Sequence, residues 1–480
     1  MKQSKPEFYI STAIDYVNAQ AHLGHALEKV QVDAMARYQR MAGRSVFYLT
    51  GTDEHSLSTV RIAREKKVPI KTFVQKQAEK FQSLRDHLNL STDDFIRTSE
   101  KRHEQAVQKL WTKAKKDIYR KKYKGLFCAS CETYFKEEEA PEGVCPIHGQ
   151  SLDLIEEENY FFKLSRYQKQ IRKIIESDQL KIIPESRKNE VLGFIDQGLE
   201  DICISRSADR SQGWGIDVPG DKNQKIWCWF DALTNYISAL DYGKDGNKFK
   251  KWWTESTTKV HCIGKDILRF HAVYWPSFLM AAGLPLPQII FTHGFLSING
   301  QKMSKSKGIG VDPVKLVKEY GSDAVRYFLL REIPATKDGD FSLAKFKERY
   351  NADLASGLGN LISRVIKLAN EMKVEPSLTN MEASEAIQEV EKEYHRSMAE
   401  YDFREALMSI WSLIAFCDQY IEQEEPWKGE KGSEKVVANL LFIIGKLSNL
   451  LNPFLPETSE KIKNQLQNKK KTAILFPRLK

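Results

Sequence analysis

The sequence predicts an α/β protein: a parallel sheet with helices on both faces, split by an insertion and followed by a helical bundle. Three observations carry this reading. Short apolar runs alternate with helical stretches up to about residue 115 and again from about 226. Between them, roughly residues 116–225, the alternation gives way to a mixed, cysteine-bearing segment. After Asp340 strand patterns disappear and long helical patterns take over.

Phe8 to Ile14 is a near-continuous apolar run, expected for a buried strand. Ala26 to Ala42, closed by Gly43, has Leu27, Val30, Ala34 and Met35 at helical spacing. Ser45 to Thr50 reads as a second strand and Ile70 to Leu88 as a second helix. Val260 to Ile263 and Ile289 to Phe291 are the strands of the returning half. The helical region comprises Asp353 to Met372, Ile387 to Tyr401, Arg404 to Glu422 and Glu434 to Leu451, broken at Pro376, Pro426 and Pro453. The expected domains are therefore 1–115 and 226–295 for the split α/β fold, 116–225 for the insertion, 296–350 for a loop and linking region, and 351–480 for the bundle.

With 480 residues and 41% hydrophobic content, the chain can bury two to four domains. No apolar run reaches the length of a membrane span, and Met1 to Pro6 leads into the first strand without a signal peptide. A soluble, cytoplasmic protein is expected. Three of its seven cysteines lie in one tight group, which favours metal and reduced thiols over a disulfide scaffold. The net charge of +9 is modest, but Lys461 to Lys480 holds seven Lys/Arg and no Asp or Glu. Such a tail suits a polyanion or a solvated end. No Gly-x-Gly-x-x-Gly follows the first strand, which disfavours a dinucleotide-dependent oxidoreductase.

Two short clusters suit the triphosphate of ATP. His22-Leu23-Gly24-His25 opens the first helix, where backbone N–H groups and the dipole favour phosphate, and Gly24 lets a flat ring lie on backbone. Lys302-Met303-Ser304-Lys305-Ser306 puts two ammonium groups on a loop flanked by Gly300, Gly308 and Gly310, which suits closure over developing charge. Singly, each reads equally as a capped helix start or a solvated loop. Cys128-x2-Cys131, followed after thirteen residues by Cys145-x2-His148, has the spacing of a closed tetrahedral zinc site. Cys203, Cys228, Cys262 and Cys417 are isolated and read as packing residues.

Together the two clusters resemble the signatures of the class I aminoacyl-tRNA synthetases. Thr50-Gly51-Thr52-Asp53-Glu54-His55, Trp227 to Ala232 and Gly264-Lys265-Asp266-Ile267 are similar to the methionyl-tRNA synthetase family, over essentially the whole chain. The resemblance implies a Rossmann-like catalytic domain split by a zinc-binding connective insertion, then an all-α anticodon-binding domain. It also implies a ligase that activates L-methionine with ATP and Mg²⁺ and transfers it to tRNA(Met), initiator and elongator. His22, Gly24, His25, Lys302, Ser304 and Lys305 then face ATP, with His22, His25, Lys302 and Lys305 in catalysis. Methionine falls to Ile14, Tyr16, Asp53, Trp229, Ala232, Tyr236, Ile267 and His271, with Asp53 on the ammonium. Asn360, Arg364 and Trp427 match anticodon-reading positions; without the resemblance, Asn360 and Arg364 read as a solvated helix face.

Asp15, Ser56 and Leu233 depart from the family, standing where relatives often carry Pro, Gly and Pro. The rival within the class, a synthetase for leucine, isoleucine or valine, needs a large editing insertion, and about 110 residues is short for one. The rival of another class is an RNA-binding relative without catalysis, against which the intact lysine loop speaks. The chain ends soon after its bundle, so a monomer is expected.

Overall fold

The first apolar run folds as strand β1 (Lys5–Thr12), and Phe8, Tyr9 and Ile10 are buried within it. In chain order follow β2 (Asp15–Tyr16), β3 (Arg44–Asp53) and β4 (Asp94–Arg97). The insertion supplies β5 (Ile118–Cys128), β6 (Thr133–Phe135), β7 (Asp153–Phe162), β8 (Lys181–Ile183), β9 (Ile202–Cys203), β10 (Ser205–Ser207), β11 (Ile216–Val218) and β12 (Asp221–Ile226). Then come β13 (Thr258–Gly264) and β14 (Ile289–His293). The computed structural model describes residues 5–128, 133–135, 137–146, 149–227, 229–256, 258–302, 310–468 and 474–479, apart from the side chains of Lys5, Thr133, Tyr134 and Lys302. Two compact units result: Met1–Ala21, Gly43–Ser83 and Thr92–Thr292 form one, and His22–Ala42, Leu84–Ser91 and His293–Lys480 the other.

In the first unit the central sheet runs β2-β3-β1-β13-β14-β8, with β4 also on β3. Ile10 of β1 lies opposite Tyr48 of β3 and Val260 of β13, both in parallel register. A strand paired on both edges and covered on both faces favours a continuous apolar centre, which is why Phe8 to Ile10 of β1 read as a run and not as an alternation. The parallel sheet expected from the sequence is thus present. The insertion, however, is not separate from it. Its β8 pairs in parallel with β14, Ile182 opposite Ile290. A three-residue strand carries too little pattern to be seen in the sequence.

The remaining insertion strands form two antiparallel sheets, β6-β5-β7-β9 and β10-β12-β11. In the long β5/β7 pair, Lys122 faces Glu158 and Lys124 faces Glu156, so a basic strand is matched to an acidic one. Opposite charges directly across a ladder favour this register, while a slip by one residue would turn every side chain to the other face.

The second unit contains the signature helix, Leu23–Met41, and the helical bundle. The bundle helices are Asn360–Met372, Met381–Ala399, Phe403–Glu424, Ser433–Leu451 and Pro456–Gln467. Asn380 and Asp402 cap the second and third by accepting from Ala383 N–H (2.8 Å) and Glu405 N–H (3.1 Å). Leu407, Ile410, Ile414, Cys417 and Ile421 form the buried stripe of the third at the spacing of an amphipathic helix. The helix expected from Asp353 begins earlier: a wider-wound π stretch, Tyr350–Gly359, runs directly into Asn360–Met372.

Candidate active site

In the second unit, His22 is the N-cap of the signature helix and His25 its third residue. His22 Nδ1 accepts from Gly24 N–H (3.2 Å), and His25 Nδ1 accepts from His22 N–H (3.0 Å). A ring nitrogen that accepts carries no proton, so each ring as placed is a neutral Nε2–H tautomer. The rings stack with centroids 3.7 Å apart. The helix start is therefore capped by the two rings themselves, each through its Nδ1, at the positive end of the helix.

This helix is held from below. Asp33 pairs with Arg326 at 2.7 Å and with Arg37 at 2.7 Å, and Ser91 donates to it through backbone and hydroxyl. Burial would raise the Asp33 pKa, but Arg326 and then Arg37 more than offset it and hold the carboxyl below its ordinary value. Arg326, fully buried, also donates to the carbonyls of Phe454 (2.8 Å), Leu88 (3.0 Å) and Pro453 (2.8 Å).

Gln301–Lys302 pairs antiparallel with Leu296–Ile298 through a two-residue turn, in which Asn299 (φ 50°) and Gly300 (φ 73°) are both left-handed. Asn-Gly is the dipeptide that tolerates this conformation at both positions. The lysine loop thus leaves a defined hairpin. The Lys302 side chain, Ser304 and Lys305 lie outside the described residues.

In the first unit, Asp53 is buried at the end of β3, and Tyr16 is its register partner on β2. Trp229, Ala232 and Tyr236 follow one another along two short helices, Trp229–Leu233 and Asn235–Ser238. Trp229 stacks on Phe270 with centroids 3.7 Å apart, and His271 lies edge-on to it at 6.3 Å. Tyr236 O–H and His271 Nε2 are 2.7 Å apart, while His271 Nδ1 is 2.9 Å from the Ile267 carbonyl. A carbonyl can only accept, so Nδ1 of His271 carries a proton. Ile14, Trp229 and Ile267 are part-buried against the same core. The structure therefore brings Trp229, Tyr236, Ile267 and His271 together in one aromatic-lined region. Asp53 and Tyr16 are neighbours across β3 and β2.

Beneath Tyr236 lies a layer invisible to sequence reasoning. His261 of β13 packs on the Tyr236 ring at 3.9 Å, accepts from Trp275 Nε1–H (3.3 Å) and donates Nδ1–H to Ser11 Oγ (2.7 Å). Burial, reinforced by His271 and Lys259, pushes its pKa well below the ordinary histidine value, so it stays neutral. The Tyr9 hydroxyl donates to the Tyr236 carbonyl at 3.0 Å. A cavity of about 1200 Å³, also unforeseen, opens beside Trp229 and Phe270 and is walled by Tyr123, Leu126 and Cys203 of the insertion.

Of the three departures, Ser56 has a local explanation. Ser56 caps the helix Leu57–Glu65 by accepting from Thr59 N–H (3.1 Å), a hydrogen bond that a glycine at this position could not make. Leu233 is core, and Asp15 is buried in β2 opposite Thr52. Of the four residues expected from the sequence to bind zinc, Cys128 and Cys145 are both buried and share a small cluster with Phe135 and Ala140. Cys131 and His148 lie outside the described residues, among which no cluster of three or more metal-binding side chains occurs. No helix among the described residues is long and apolar enough to cross a membrane.

In the bundle, Arg364 lies over the Trp427 ring at 5.8 Å and pairs with Glu422 at 2.6 Å. Trp427 is 46% exposed, and Asn360 is exposed one turn before Arg364. An indole that ordinary packing would bury is instead presented to solvent.

The family described as tRNA synthetases class I (M) matches residues 8–153 and 138–366, and the anticodon-binding domain of tRNA ligase matches residues 380–478. The methionine–tRNA ligase of Caldanaerobacter subterraneus subsp. tengcongensis is 42% identical over 483 residues, 96% of this chain and 74% of the relative. That of Brucella suis is 39% identical over 96% of this chain and 91% of its own length. The solved structure of Mycobacterium tuberculosis methionyl-tRNA synthetase in complex with methionyl-adenylate superposes with a TM-score of 0.89 at 34% identity, covering 99% of both chains. With the sheet, the capped signature helix and the bundle all in place, the chain belongs to the methionine–tRNA ligases, members of the class I aminoacyl-tRNA synthetases.

Proposed function

We propose that this chain performs methionine–tRNA ligation with Asp53 and the aromatic region of the first unit receiving methionine, and with the signature helix and lysine loop receiving ATP. The observation that carries the proposal is the stacked histidine pair at the N-terminus of the signature helix, the positive end of its dipole, where anionic phosphate is favoured. In the first step a methionine carboxylate oxygen attacks the α-phosphorus, the bond to pyrophosphate breaks, and methionyl-adenylate forms. In the second, the terminal adenosine hydroxyl of tRNA(Met) attacks the methionyl carbonyl carbon and AMP leaves. No side chain need act as nucleophile, so catalysis rests on positioning and on stabilising charge.

Each residue then has a role its chemistry suits. Asp53 would hold the α-ammonium, and Ile14, Tyr16, Trp229, Ala232, Tyr236, Ile267 and His271 would hold the thioether chain, which packs well on aromatic rings. His22, Gly24 and His25 would contact ATP, and Lys302, Ser304 and Lys305 the pyrophosphate. Mg²⁺ would accompany ATP, held largely by its phosphates. Asn360, Arg364 and Trp427 would read the anticodon by stacking and edge hydrogen bonds, a role supported by the half-exposed indole beside a guanidinium.

A structural Zn²⁺ would be held by Cys128, Cys131, Cys145 and His148, a donor set of three thiolates and one imidazole that leaves no open position. The burial of Cys128 and Cys145 in one cluster supports it. A cytoplasmic monomer completes the proposal. Charging of tRNA(Met) by the purified chain tests it directly: methionyl-tRNA should form only with methionine and ATP present. Equal charging of a tRNA with an altered anticodon would refute the anticodon role.

A further inference from the structure

Asp231, on the short helix Trp229–Leu233, is 2% exposed, yet each of its carboxylate oxygens meets an imidazole. His55 Nδ1 is 2.7 Å from Oδ2 and His103 Nε2 is 2.7 Å from Oδ1. A carboxylate only accepts, so both nitrogens donate. His103, fully buried on the helix Lys101–Ala114, is held in turn by Ser238 Oγ at 2.8 Å, and that hydroxyl also lies 3.0 Å from the Asn235 carbonyl. His55 stands two residues beyond Asp53, and its backbone N–H donates to Asp53 Oδ1 at 3.1 Å. On its other side the ring meets Trp214 edge-on at 5.4 Å, and Trp214 Nε1–H donates to the Glu54 carbonyl at 2.7 Å. The main chain from Asp53 to His55 is therefore held by two separate segments, through Asp231 and through Trp214.

We infer that Asp231, acting through His55 and backed by His103 and Ser238, is a positioning residue that fixes the Asp53 carboxylate for recognition of the methionine α-ammonium. The inference rests on the reading of Asp53 given above. The His55 amide orients Asp53 only while the His55 ring keeps that amide in place, and the ring is kept in place by a carboxylate carried on the same helix as Trp229 and Ala232. One buried charge thus sets the ammonium contact and the start of the side-chain pocket in a common frame. A supporting layer of this kind decides whether a binding group is held tightly enough to act.

The test is ATP–pyrophosphate exchange on the wild type and the variants His55→Ala, His55→Asn and Asp53→Asn, with thermal unfolding of each. His55→Ala should raise the KM for methionine about tenfold or more, the usual scale for losing a hydrogen bond to a charged group, while the KM for ATP moves less than about twofold. His55→Asn places an amide N–H where Nδ1–H stood and should return the methionine KM to within about threefold of wild type. An unchanged methionine KM in His55→Ala overturns the inference. So does a parallel rise for both substrates, or an asparagine variant no better than the alanine. Asp53→Asn separates the two layers: if it leaves the methionine KM unaltered, the ammonium assignment itself fails. Should His55→Ala not fold, Ser238→Ala removes only the outermost support and should still raise the methionine KM selectively, by about threefold; no change there overturns the inference equally.

Discussion

Two histidines hold Asp231 ionised where burial alone would protonate it. Burial works against the charge, but His55 and His103 more than offset it and keep the carboxyl well below its usual range. For His55, burial would lower the pKa, but Asp231 first and then Asp53 and Glu54 raise it. A raised histidine pKa contributes stability that is complete below the unfolded value of about 6.5 and is lost as pH rises through the folded one. A depressed carboxyl contributes stability that is present above about 3.9 and is lost as pH falls. The melting temperature of the wild type should therefore decline on the alkaline side of about pH 6.5, and His55→Asn should flatten that decline. Identical slopes for the two proteins would show that His55 does not titrate with folding. At this scale the sequence reveals residue types but not partners: His55 and His103 lie 176 and 128 positions from Asp231. His22 and His25, three apart on one helix, were legible because their geometry is local. Tyr236 and His271 are singled out in the sequence only by the family resemblance.

The signature helix, as an element, depends on one buried guanidinium. Arg326 pairs with Asp33 of that helix and also satisfies the carbonyls of Leu88, Pro453 and Phe454. Arg326→Met should cost about 3–5 kcal/mol, because it leaves a buried carboxylate short of a partner and three carbonyls without this donor. Urea denaturation reads this directly, and a loss below about 1 kcal/mol would show the pair to be energetically incidental. The purified chain should carry about one equivalent of zinc, and Cys131→Ala should lose it; protein prepared without chelator and free of zinc would remove the metal from the proposal. The long periodic helix Phe403–Glu424 is legible in the sequence within a residue or two at each end, whereas Met381–Ala399 begins six residues before the expected Ile387. The three-residue β8 is not legible, because its place in the sheet is set by pairing and not by pattern.

At the scale of the whole molecule, the two units hold different parts of the proposed reaction. The aromatic region with Asp53 belongs to the first, and the signature helix and bundle to the second. Trp427→Ala should weaken tRNA charging by roughly tenfold to more than a hundredfold, since stacking one base on an aromatic ring is worth about 1–3 kcal/mol. Methionine-dependent exchange should persist in the same preparation. With the indole 46% exposed, its truncation should cost far less stability than that of a core tryptophan. A large drop in melting temperature with charging intact would reassign Trp427 to packing. Activation of methionine with ATP by this chain is tested most directly by ATP–pyrophosphate exchange on the wild-type protein across the amino acids. Exchange should be supported by methionine far above leucine, isoleucine and valine. No exchange with methionine, or equal exchange with one of those three, would contradict it.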